Sequence, residues 1–144
     1  MKIRDAHLHD VEWLLSACCV FAAEHNMRFW FPDPDTGRRL LREWIGGQFV
    51  IVAHEGNARA GFLLAFGGPM RFNPDVYALN EALWWVHPDH RKGRAGLMLL
   101  DAFTKFAKTN SDYATFSLVG PTGDDALARR GFHYGERVLE WRRA

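Results

Sequence analysis

Arg91, Lys92 and Arg94 crowd into "HRKGRAG", inside a longer stretch, "WWVHPDHRKGRAGLMLL", that changes character halfway. It opens apolar and aromatic like a strand, breaks at Pro88, and closes with the apolar spacing of a helix. The start of a helix leaves backbone N–H groups unpaired and carries a partial positive charge. Where a glycine-containing turn leads into it, those groups can converge on a phosphate. Gly93 would let the chain turn, Gly96 would leave the first helical turn uncovered, and the three cations would add charge-assisted hydrogen bonds to a diphosphate. A solvated basic loop is the other reading of the same residues, because short Gly/Arg motifs are weak signals.

A second candidate lies just upstream. Glu81 is the carboxylate of the strand "EALWWV", and a carboxylate is a residue type able to take or give a proton. Strand alternation puts Glu81, Leu83 and Trp85 on one face, and Asn80, Ala82, Trp84 and Val86 on the other. Read alone, Glu81 is equally a solvent-facing residue at a strand start. Cys18 and Cys19 are adjacent, which disfavours a disulfide between them, and both are expected to be buried, inert thiols. His7 and His9 could share a strand face, and His87 and His90 flank a turn. None has the Cys, Asp or Glu spacing of a metal site, so no metal is expected.

The elements that must position these residues follow from periodicity. Lys2 to Arg4 is a short strand, and Asp10 is an N-cap. Val11, Leu14, Leu15, Cys18 and Ala22 then mark a helical face. "NMRFWFPDPD" ends that helix. A second starts near Asp35 or Thr36, shows Leu40, Leu41, Trp44 and Ile45 on one side, and stops at Gly46 and Gly47. "QFVIVAHEGNARAGFLLAF" reads as a hairpin about "EGN", and "GGPMRFNPDVYALN" as an irregular connection. After "EALWWV", Ala95, Leu99, Ala102 and Phe106 share a helix face. "YATFSLV" is a strand, "TGDDALARRGF" a short helix capped by Thr122 or Asp124 and closed by Gly131, and "FHYGERVLEW" the last strand or strand pair. The order β α α β β β α β α β gives a mixed α/β fold, one domain over residues 1–144.

Composition bounds the function. A chain of 144 residues, 48% apolar and 24% charged, matches a soluble globular domain. A net charge of +1 supplies no global field toward nucleic acid or an acidic membrane, so any anion site is local. No apolar run approaches the length of a membrane span, and "MKIRDAHLHD" lacks the layout of a signal peptide. A cytoplasmic protein is expected, with no nucleic-acid or membrane partner.

"V-x-P-x-H-R-K-G-R-A-G" resembles the acetyl-CoA pyrophosphate loop of GNAT-type N-acetyltransferases. "DALARRGF" is similar, more loosely, to that family's segment ending in Gly-Phe. The likeness in element order spans essentially the whole chain, and the short length and "RKGRAG" form are similar to GNAT-like proteins of phage genomes. The resemblance implies a GNAT acyltransferase fold, with a central, mostly antiparallel mixed sheet flanked by helices. Two splayed strands would hold acetyl-CoA. The pantetheine arm would lie on the main chain of Trp84, Trp85 and Val86, and the pyrophosphate on Arg91, Lys92, Gly93, Arg94, Ala95 and Gly96. It implies direct attack of a primary amine on the thioester, with Glu81 as base if a bulge corrects its phase, and the oxyanion on an N–H near Val86. Arg94 stands where the family has a glycine. Leu127 stands where it has an acidic tyrosine, leaving Tyr134 as the substitute acid. Phe29, Trp30 and Phe31 fall where family members line the acceptor pocket, and serve core packing or a homodimer contact equally well. The competing function is a non-catalytic acyl-CoA-binding or assembly protein that kept the fold.

Overall fold

The computed structural model describes residues 1–27, 33–118, 123–135 and 141. The aromatic segment Phe29–Trp30–Phe31 and residues 136–140 of the expected last strand therefore lie outside the described residues. Strand β1 (Lys2–Asp5) leads through a single 3-10 turn into helix α1 (Val11–Glu24), followed by α2 (Pro34–Gly47). Strands β2 (Phe49–Glu55), β3 (Ala58–Met70) and β4 (Asn73–Val86) form a meander. Then come α3 (Ala95–Asn110), the short β5 (Tyr113–Thr115) and α4 (Asp124–Ala128). The five strands lie in chain order, antiparallel from β1 to β4, with β5 parallel to β4.

Local chemistry explains the element ends. Asp33, not Asp35 or Thr36, caps α2: its carboxylate accepts from Thr36 N at 2.9 Å, and Pro34 follows at the first helical position. Asp10 precedes α1 but its side chain does no capping; it turns inward to arginines, as described below. Gly123 precedes α4. Gly131, at φ +92°, closes the short helix in the left-handed conformation that suits glycine.

Period-two burial places the core on both faces of the sheet. Val50, Val52, Phe62, Leu64, Leu83 and Trp85 pack with Leu14, Leu15 and Leu41 of α1 and α2. Ile51, Ala53, Leu63, Ala65 and Leu79 pack with Leu99 and Phe103 of α3. A small third cluster joins Leu100 to Ala126 and Leu127 under α4.

Three sequence expectations are corrected. The stretch 67–80 is no irregular connection: β3 runs to Met70 and β4 starts at Asn73, so one long hairpin extends past the end of β2. Proline is compatible there because β2 pairing ends at Ala65, leaving Pro69 on an open edge where its missing N–H breaks no ladder. "YATFSLV" contributes only three residues to the sheet. Of the two cysteines only Cys18 is buried, its thiol pushed up to about 12 by that burial, whereas Cys19, one helical position on, is exposed.

Candidate active site at the β4–β5 opening

The parallel pairing of β4 and β5 covers only Ala78–Tyr113, Leu79–Ala114 and Asn80–Thr115. A side-chain bond from Thr115 Oγ1 to Asn80 Oδ1, 2.7 Å, marks its end. Beyond it β5 leaves the sheet, and residues 81–86 of β4 have no strand on that side among the described residues. The opening runs from Glu81 toward the start of α3.

Glu81 sits at its closed end. Opposite β3, Leu83 pairs with Leu64 but Glu81 pairs with Ala65, so Ala82 is an extra residue in the ladder. This bulge reverses the phase of the strand. Leu83 and Trp85 face α1, while Leu79 packs with α3 and Glu81, two residues on, shares its side. Simple alternation had set Glu81 with Leu83 and Trp85; the bulge moves it to the face of Trp84 and Val86. The carboxylate is 7% exposed and makes one hydrogen bond among the described residues, accepting from Ser117 N at 3.1 Å. Burial drives its pKa up to about 8, against the lowering effect of that bond. Glu81 is thus a carboxyl poised to gain and lose a proton near neutrality.

At the open end, His87 N donates to Ala60 O, and a 3-10 turn over Pro88–His90 redirects the chain. The N–H groups of residues 94–97 make no backbone hydrogen bond among the described residues. Arg94 adopts φ −90° and ψ −10°, an ordinary conformation for any residue, so its backbone shows no need for glycine. Lys92 and Arg94 are exposed and make no ion pair among the described residues. Gly96 also has a packing role. A Cβ there would stand 3.3 Å from Val86 Cγ2 and 3.4 Å from Trp84 Cζ2, so it allows α3 to seat against β4. Ala95, fully buried, packs in the α3 core.

Arg91 is committed elsewhere. Its Nε donates to Val86 O at 3.0 Å, and its Nη2 reaches both oxygens of Glu24 at 2.7 and 2.9 Å. Trp85 Nε1 donates to the same carboxylate at 3.2 Å. The side chain therefore ties the end of β4 to the end of α1 instead of pointing to a phosphate. Sequence reasoning missed Glu24, which lies 67 residues away in the chain. Arg91→Ala is expected to lower Tm by about 2–4 °C, whereas Arg94→Ala shifts it by less than about 1 °C. A thermal melt of the two variants checks this.

Tyr134 is 88% exposed, and its hydroxyl donates to Asp124 at 2.6 Å. That hydrogen bond and the charge of Asp124 raise its pKa. Nothing in the described contacts brings Tyr134 to Glu81. Leu127 is buried against Leu100 and Ala126, filling its place with hydrocarbon and no hydroxyl.

The opening offers main-chain groups along β4, N–H donors and two cations at α3, and a buried carboxyl. One further observation bears on a ligand: among the described residues, Trp84 Nε1 is the one buried side-chain nitrogen or oxygen with no hydrogen-bond partner. Solved structures share this architecture. A predicted acetyltransferase from Clostridium acetobutylicum, solved with acetyl-CoA, superposes with TM-score 0.77 at 16% identity, over 98% of this chain and 95% of that one. A GCN5-related N-acetyltransferase from Ralstonia eutropha gives 0.76 at 20% identity, over 96% of each chain. The chain has the GNAT acyltransferase fold. A soil-metagenome aminoglycoside acetyltransferase, solved with sisomicin, shares this fold at TM-score 0.69 and 20% identity, over 99% of this chain and 95% of that one. Neither the protein-family models nor the curated proteins gave a match.

Proposed function

We propose that the chain is an acetyl-CoA-dependent N-acetyltransferase acting on a primary amine by direct transfer. The observation that carries this reading is the pairing of a buried, high-pKa Glu81 with a strand opening that leads to the free N–H groups of α3. Acetyl-CoA would supply the activated thioester. The N–H groups of residues 94–97, with Lys92 and Arg94, hold the diphosphate; the main chain of Trp84 to Val86 takes the pantetheine arm. Glu81 accepts the proton released as the amine nitrogen bonds to the acyl carbon and the carbon–sulfur bond breaks. The thiolate that departs is protonated by water. An N–H near Val86 faces the oxygen that becomes anionic. Placement of the two reactants side by side supplies a further part of the acceleration.

The acceptor is a small-molecule amine or a protein amino group, and Phe29, Trp30 and Phe31 are the residues assigned to meet it. Use of acetyl-CoA suits a cytoplasmic site of action. One observation favours a second reading, an acyl-CoA-binding protein without turnover: Leu127 offers no acid where the family places a tyrosine, and Tyr134 is occupied by Asp124. Bound acetyl-CoA with no acetylated product across an amine panel would identify that case.

Calorimetric titration of acetyl-CoA tests the proposal. The wild type is expected to bind in the micromolar range, and Lys92→Ala/Arg94→Ala about 10- to 100-fold more weakly, as loss of charge-assisted bonds predicts. A folded wild type that binds no acetyl-CoA would sink the transferase reading.

A further inference from the structure

Trp84 and Trp85 are neighbours in sequence with opposite surroundings. The Trp85 indole faces α1, packs near Trp13 and Phe62, and satisfies its N–H on Glu24. The Trp84 indole faces α3, and its N–H is buried with no partner among the described residues. A buried donor left unmade is destabilising, and a phenylalanine would avoid it. Yet the surroundings are cut to this ring. A Cβ on Gly96 would lie 3.4 Å from Cζ2 and 4.0 Å from Cε2, and one on Gly123 would lie 3.2 Å from Cζ3. Phe116 meets the ring edge-on with centroids 5.5 Å apart. Gly123 thus makes room at one edge of the indole, and Gly96 lies against another. Because Cε2 carries the nitrogen, the edge that bears the N–H is the one beside the first turn of α3.

We propose that the Trp84 indole N–H is a positioning donor for an amide carbonyl of the pantetheine arm. This deepens the acyl-CoA reading and rests on it. Position along β4 selects the amide. Glu81 marks the reacting end of the opening and α3 the diphosphate end; Trp84 lies between them, where an arm of that length carries its amides. The main chain of β4 can serve the amides as a strand edge would, and the indole adds one side-chain donor. To reach it the arm parts Trp84 from Phe116, and the new hydrogen bond offsets the separation of the two rings.

The test uses the whole chain with ¹⁵N-labelled indoles, titrated with acetyl-CoA, alongside calorimetry of Trp84→Phe with acetyl-CoA and with CoA. In the wild type, one indole N–H resonance is expected to move downfield and exchange more slowly with solvent on binding. That resonance is the one absent from Trp84→Phe. The variant is expected to bind acetyl-CoA and CoA about three- to tenfold more weakly, by the same factor for both, since both carry the amides. Should the phenylalanine variant not fold, the sulfur isostere benzothienylalanine at position 84 removes the N–H at unchanged ring size. Wild-type binding with an unmoved Trp84 resonance, or equal affinities in variant and wild type, would overturn the assignment. A loss seen with acetyl-CoA alone would overturn it too, placing the donor on the thioester. If the wild type binds neither ligand, the acyl-CoA reading itself fails, and the Trp84 assignment with it.

Discussion

Glu81→Gln is expected to reduce kcat by about 10²- to 10³-fold while leaving acetyl-CoA affinity within about twofold of wild type. Glutamine keeps an oxygen for Ser117 N but cannot take a proton, so the substitution removes the proposed base and spares the hydrogen bond. The pH profile carries the same signature. A base whose pKa lies near 8 works in its ionised form, so wild-type kcat/KM should climb with pH and level off above about 8. The variant should lose that limb. Stability moves the opposite way in pH. The folded carboxyl holds its proton up to about 8, against an ordinary 4.5, so the native state binds a proton that the unfolded chain has shed. The stabilisation is complete below pH 4.5 and drains away as pH rises to 8 and beyond. Glu81→Gln does not titrate, so its Tm relative to wild type should rise between pH 5 and pH 9, on the order of 10 °C. Melts at the two pH values, beside steady-state rates, decide the matter; a constant Tm difference would show that Glu81 is not buried as a proton-holding acid.

Asp10→Ala is expected to be strongly destabilising. Asp10 is fully buried where β1, β3 and the turn before α1 meet. It accepts two bonds from Arg4 at 2.7 and 3.0 Å, one from Arg59 Nε at 2.7 Å, and one from His7 N at 2.8 Å. Alanine would leave two guanidinium groups facing one another and a backbone N–H unpaired. The loss should be about 3–5 kcal/mol, with Tm lower by about 10 °C or more. Burial pushes the Asp10 carboxyl up, but the hydrogen bonds from Arg4, His7 N–H and Arg59 outweigh it and hold the group well below the usual carboxylate range. Its contribution is therefore present above about pH 4 and is lost as the solution is acidified further. Wild-type Tm should drop between pH 4 and pH 2, and Asp10→Asn should flatten that drop. A shift under about 3 °C for the alanine variant at pH 7 would contradict this account.

What the sequence disclosed depended on how far each signal reached along the chain. Helix faces such as Val11–Leu14–Leu15–Cys18 are local, and they were legible. So was the turn at Pro88 into α3, since proline and glycine punctuate without help from distant residues. The phase of Glu81 was not fixed by its neighbours: Ala82 carries no mark of a bulge, and only pairing with Leu64 and Ala65 reveals it. The direction of Arg91 was equally hidden, because Glu24 comes from a different element. "GGPMRF" misled through composition, as its glycines and proline usually mean a loop, and only the absence of a β2 partner makes a strand acceptable. Leu127 was the reverse case. A leucine in a short amphipathic helix announces its burial, and it is buried.

The arrangement of the sheet also orders its assembly. β2, β3 and β4 are joined by tight turns, and each pairs with the strand next to it in the chain, so their contacts close short loops. β5 pairs with β4 only after all of α3 has intervened, and through three residue pairs. Loop closure and parallel geometry both make that the slower event. The meander should therefore form early, with β1 and β5 docking onto it afterwards. The opening beside β4 is then created by a late step of folding and lies beside the short, three-pair β4–β5 ladder. A ligand spanning β4 and the start of α3 would act as the strand the fold leaves out, and the molecule would unfold more slowly with it than without.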